Sequence, residues 1–156
     1  MGVSADPGLA FAKSQTAAGY PLPTRGRALI SLKDGDKPRF LDAAREFQAL
    51  GFRILATPGT AAFLESHRIR ADVVERERAR ETLISDLRAG KIQILLNTFQ
   101  STAGHSDFRE IRRAALISGV PIITTAAAAG CAVRAIRAMR KSPFDFHCLQ
   151  ELNGRK

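Results

Sequence analysis

Apolar positions along this chain keep changing period. RALISLK (27–33), FRILAT (52–57), IQILLN (92–97) and VPIITT (120–125) are short apolar runs bounded by polar or turn residues, and ADVV (71–74) is a weaker one. Such runs predict strands. Between them the spacing switches to that of helices. PRFLDAAREFQALG (38–51) carries Phe40, Leu41, Ala44, Phe47 and Leu50 on one face, with Pro38 in its first turn and Gly51 as its stop. GTAAFLESH (59–67), ETLISDLRAG (81–90), DFREIRRAALISG (107–119) and AAAAGCAVRAIRAMRK (126–141) continue the alternation. Asp107 with Glu110 three residues on has the form of a capping box. Five strands alternating with helices predict an α/β fold: a doubly wound, mainly parallel five-stranded sheet with helices on both faces. Residues 5–19 suit a short helix that Gly19 and PLPTRG (21–26) cut off, so segment 1–26 reads as a leader or linker outside the core, and 27–156 as the domain.

Composition narrows the class. At 156 residues, 45% hydrophobic and 25% charged, the chain suits one globular domain. No apolar run approaches the ~20 residues a membrane span needs, and the N-terminus has no secretory signal, so no membrane role is expected. Cys131 and Cys148 are too few for a disulfide framework and fit a cytoplasmic chain with incidental thiols. The formal charge of +9 favours anionic partners. The arginines, however, are scattered at helical spacing without interleaved aromatics, so solvated helix faces account for most of the charge and nucleic acid is not expected as a partner.

In a sheet of this kind ligands sit beyond the carboxyl ends of the strands. The predicted ends deliver Lys33, Asp34, Asp36 and Lys37; then Thr57, Gly59 and Thr60; then Asn97 and Thr98; then Thr124 and Thr125. Hydroxyls, an amide and an ammonium, with few carboxylates, are what holds phosphate oxygens. Each of these residue types is common at strand ends, and T-P-G-T (57–60) can be no more than a turn. Metal and hydrolytic chemistry have less to stand on. His67, His105 and His147 lie far apart, there is no C-x-x-C, and no G-x-S-x-G follows a strand.

The stretches AFAKSQTAAGYPLPTRG, ALISLKDGDK, FRILATPGTAAFL, RAGKIQILLNT, IRRAALISGVPIITT and LQEL together resemble the C-terminal allosteric domain of the carbamoyl phosphate synthetase large subunit, a methylglyoxal synthase-like domain. The resemblance covers about residues 8–152. It implies a Rossmann- or flavodoxin-type fold and a regulatory site for uridine and inosine monophosphates. It matches Lys37 to a family lysine, Thr57 and Thr60 to the two threonines around Gly59, Asn97 and Thr98 to the Asn-Thr pair, and Arg76 to a further lysine. Arg80 is what remains of a Gly-Arg-Pro, and Thr124 matches a threonine near a second effector site, for ornithine. It further implies that the leader is the tail of a preceding synthetase domain and that this chain is part of a larger protein. The larger protein would use ATP, Mg or Mn, and K, work with a glutaminase small subunit and serve arginine and pyrimidine biosynthesis. The domain itself is expected to hold no cofactor and to form a homo-oligomer or stay within its parent.

The chain departs from that pattern at Phe99 and Gln100, where Thr or Ser with Gly is usual, and at Ile122, where tyrosine is usual. A lyase of the methylglyoxal synthase type, acting on dihydroxyacetone phosphate, is the alternative. It requires a carboxylate base. Asp34 matches one synthase aspartate, but Arg80 stands where the synthase has another.

Overall fold

The computed structural model describes residues 1–74, 79–98, 106–142 and 150, with the side chains at 79, 106 and 107 excepted. The chain runs α1 (Pro7–Ala17), β1 (Arg27–Ser31), α2 (Lys37–Ala49), β2 (Arg53–Ala56), α3 (Pro58–Ser66), β3 (Asp72–Val73), α4 (Ala79–Arg88), β4 (Ile94–Asn97), α5 (Ser106–Ile117), β5 (Ile122–Ile123) and α6 (Ala126–Lys141), with a short 3₁₀ turn at Asp34–Asp36. The five strands form one parallel sheet in the order β3-β2-β1-β4-β5. β1 and β4 are neighbours although two strands separate them in sequence, and there the winding reverses direction. This is the switch point at which such sheets open a crevice beyond their strand ends.

Strand alternation divides the core in two. Ala28 and Ile30, Ile54 and Ala56, Ile94 and Leu96, and Ile123 face a layer built by α2, α3 and α6. Leu29, Leu95, Leu55 and Ile122 face the opposite layer, with Leu83 and Leu87 of α4 and Ile111 and Ala115 of α5. The expected doubly wound architecture is present, with helices on both faces. Glycines close several helices as the sequence predicts: Gly51 follows α2 at φ 75° and Gly119 follows α5 at φ 68°, a left-handed conformation that costs glycine least.

Segment 1–26 departs from its expected place outside the core. Asp6 caps α1, its carboxylate accepting the Leu9 N–H at 2.9 Å. The helix lies against α6, Ala12 and Leu22 join the core on that face, and Leu9 is buried too. The physical reason is that α6 presents small residues, and the backbone of α1 comes close to them: a side chain at Gly8 would meet the carbonyl oxygen of Arg134 at 2.9 Å. Arg140 adds a clamp, donating to the carbonyls of Thr24 (2.9 Å) and Leu50 (2.7 Å) and lying over the Phe52 ring.

The strands are shorter than their apolar runs predict. β1 stops at Ser31 rather than at residue 33 because the next two N–H groups leave the ladder for side chains, Leu32 to Thr60 and Lys33 to Thr98. The same two bonds organise the site.

Candidate functional site

The loop after β1 is fastened from both sides. On one side the Thr60 hydroxyl accepts the Leu32 N–H at 3.1 Å, and the Thr57 hydroxyl lies 3.1 Å from it. On the other side Thr98 Oγ1 accepts the Lys33 N–H at 3.0 Å, and the Asn97 amide donates to the Ser31 carbonyl at 3.1 Å. Thr60, Asn97 and Thr98 are all buried. Their polar atoms are thus directed at backbone and set the height and direction of residues 32–37. Thr60 holds the loop through the bond it accepts from Leu32. Thr60→Val keeps the shape but leaves the Leu32 N–H without its acceptor, and a loss of about 1–3 kcal/mol in urea unfolding is expected.

At the end of this loop Lys37 opens α2. Its side chain is 10% exposed, and its Nζ donates to the Gly59 carbonyl at 2.7 Å and pairs with Asp34 Oδ1 at 2.6 Å. Asp34 itself is 88% exposed. Lys33 and Asp36 form a second pair with the same spacing, at 3.4 Å. Gly59 lies in the first turn of α3, after Pro58, which has no N–H, and so it supplies that helix's first backbone donor. A Cβ on Gly59 would meet Lys37 Nζ at 3.4 Å, so glycine here leaves the ammonium room beside exposed backbone. The amino ends of two helices and one ammonium therefore meet at one place, all of them electropositive.

Lys37, Thr57, Gly59, Thr60, Asn97 and Thr98 come together in this way around the loop after β1. Thr124 is exposed beyond β5 and next to Thr125, whose hydroxyl caps α6 by accepting the Ala128 N–H at 3.2 Å. Arg80 stands apart, on α4, with its guanidinium 3.5 Å from Glu110 of α5. The two line an open groove of about 590 Å³ with Glu81, Ile84, Ser85 and Arg88. On α5, desolvation holds the Arg112 guanidinium below the usual arginine range. Arg76, Phe99 and Gln100 lie outside the described residues, as do the Asp107 side chain and hence its capping role. Among the described residues no His, Cys, Asp and Glu are grouped to hold a metal ion. Asp34 also belongs to the site, and its signal in the sequence is its position three residues before Lys37, in a loop running straight into a helix.

A doubly wound α/β domain in which a nearly buried ammonium meets the amino ends of two helices beyond its strand ends is the class that fold and site define. The MGS-like domain model matches residues 39–124, and the chain belongs to this family. The carbamoyl phosphate synthase large chain of Micrococcus luteus is 40% identical over 161 residues, which cover 99% of this chain and 15% of that one. The C-terminal section of the large chain from Methanopyrus kandleri is 41% identical over 155 residues, covering 98% of this chain and 29% of its own. A methylglyoxal synthase from Elizabethkingia anophelis shares the fold, with a TM-score of 0.54 at 18% identity over 86% of this chain and 94% of its own. The resemblance drawn from the residue stretches is borne out. This chain spans less than a third of either large-chain relative.

Proposed function

We propose that this chain is the effector-binding regulatory domain of a carbamoyl phosphate synthase large chain, and that it takes a nucleoside monophosphate of the uridine or inosine type by its phosphate. The observation that carries the reading is the setting of Lys37. A nearly buried ammonium in the first turn of α2, aimed at the first turn of α3, lies at the wrong end of two helix dipoles for stability. An anion in the same notch gains from all three charges. In this reading Lys37 and the Gly59 N–H hold phosphate oxygens, the Thr57 hydroxyl is within their reach, and Thr60, Asn97 and Thr98 keep the loop in place. Arg76 and Arg80 would serve the effector from the α4 side, and Thr124 a second effector.

The proposal extends to the whole protein. That protein would be the glutamine-dependent, cytoplasmic synthase of arginine and pyrimidine biosynthesis, with ATP, Mg or Mn, and K in its other domains and a glutaminase small subunit as partner. Segment 1–26 would continue from the preceding domain. Among the described residues no helix is long and apolar enough to cross a membrane. Regulation across such a protein requires that the effector bind two states of the enzyme unequally, typically by about 1–3 kcal/mol.

Isothermal titration calorimetry of this chain against uridine and inosine monophosphates tests the reading: saturable heat with at least one is expected, and silence with both rejects it. The lyase alternative lacks a second carboxylate, because Arg80 is a cation paired with Glu110. No methylglyoxal should form from dihydroxyacetone phosphate, and product above the buffer blank that disappears on substituting Asp34 would reverse that conclusion.

A further inference from the structure

The Lys37 ammonium has three donors, and two already have partners: the Gly59 carbonyl, fixed in α3, and the Asp34 carboxylate. The two partners differ in how firmly they are held. Gly59 belongs to a helix anchored through Thr60, whereas Asp34 is 88% exposed on a short 3₁₀ turn, and its only described contact of this kind is with Lys37. An exposed carboxylate leaves such a pair at little cost, because water takes it back. We propose that Asp34 is an internal competitor for the anion site: it neutralises Lys37 while the notch is empty and is displaced by the phosphate of the effector. This rests on the reading of the notch as a phosphate site and adds how that site is regulated from within.

The displacement follows from geometry and charge. A phosphate oxygen on the third donor of Lys37, at tetrahedral angle to Asp34, would sit roughly 4.5 Å from the carboxylate oxygen when both bonds have ordinary lengths. Two anions at that distance repel, and the exposed carboxylate can turn away from the repulsion into water at little cost. Exchange removes it: the phosphate takes the position of Asp34 on the ammonium, the carboxylate swings into solvent, and no proton or covalent bond changes hands. The competitor also sets a threshold. Singly charged anions such as acetate gain nothing over the carboxylate already present, so the notch selects for the higher charge of a phosphate monoester.

The test is calorimetry of the whole chain as wild type, Asp34→Asn, Lys37→Met and the double variant, titrated with inorganic phosphate and with uridine monophosphate. Asp34→Asn keeps the size of an exposed side chain, and a circular dichroism melt verifies that it folds. Roughly 1.5- to 5-fold tighter binding of both ligands is expected in Asp34→Asn, the scale of an exposed ion pair lost. The gain should vanish in the double variant, which should bind no tighter than Lys37→Met. Unchanged or weaker binding of both ligands by Asp34→Asn, with wild type binding normally, overturns the competitor role alone. Weaker binding of the nucleotide but not of phosphate also overturns it, and makes Asp34 a contact to the sugar or base. If neither wild type nor Asp34→Asn binds either ligand, the phosphate reading falls and the inference with it.

Discussion

Lys37→Ala is expected to weaken uridine monophosphate binding by roughly 10- to 100-fold, the effect of removing one charged hydrogen bond worth about 1.5–3 kcal/mol. The same change should cost the fold little. The lysine contributes an ammonium at the amino end of α2, where the helix dipole opposes it, and its pairing with Asp34 is to a carboxylate already in water. Binding and stability should therefore separate, which is the mark of a residue kept for a ligand. Lys37→Met sharpens the comparison, since it preserves the buried stem and removes only the charge. The measurement is the dissociation constant by calorimetry beside a urea unfolding curve on each variant. Equal nucleotide affinity in wild type and Lys37→Met would remove Lys37 from the site; a fold loss matching the binding loss would make it structural.

The largest effect on stability is expected at Phe47. Its side chain on α2 has no exposure, and its ring meets Phe52 edge-on, with centroids 5.2 Å apart at 89°. Phe52 in turn lies under the Arg140 guanidinium that clamps the N-terminal segment. Phe47→Ala removes the buried ring and leaves a cavity beside β2 that rigid neighbours cannot fill. A loss of about 3–5 kcal/mol is expected, or roughly 6–20 °C in melting temperature for a domain of this size. Leu116→Ala, on the exposed side of α5, is the control and should change stability by less than about 0.5 kcal/mol. A Phe47→Ala protein melting within a few degrees of wild type would show that the α2 layer repacks.

The chain's own pattern settled the elements and their faces. Runs such as IQILLN and the Phe40–Ala44–Phe47 face of α2 are local signals, since a strand or helix buries one side by a period written in neighbouring residues. Glycines 51 and 119 ended their helices for an equally local reason, the ease of a positive φ. The candidate residues at the strand ends were legible too, because a parallel sheet delivers every such end to one edge. Only the folded chain decided which partners each of them meets. Thr60 and Thr98, candidate phosphate ligands by their place at the strand ends, each also accept a backbone N–H from the β1 loop, across 28 and 65 residues of sequence. Those bonds also cut β1 short, which no apolar count could reveal. The order β3-β2-β1-β4-β5, the cover that α1 finds on α6, and the meeting of Asp34, Lys37 and Gly59 are of the same kind. Each depends on which donor meets which acceptor between distant segments. That is fixed by how layers pack together, and a local period carries no information about it.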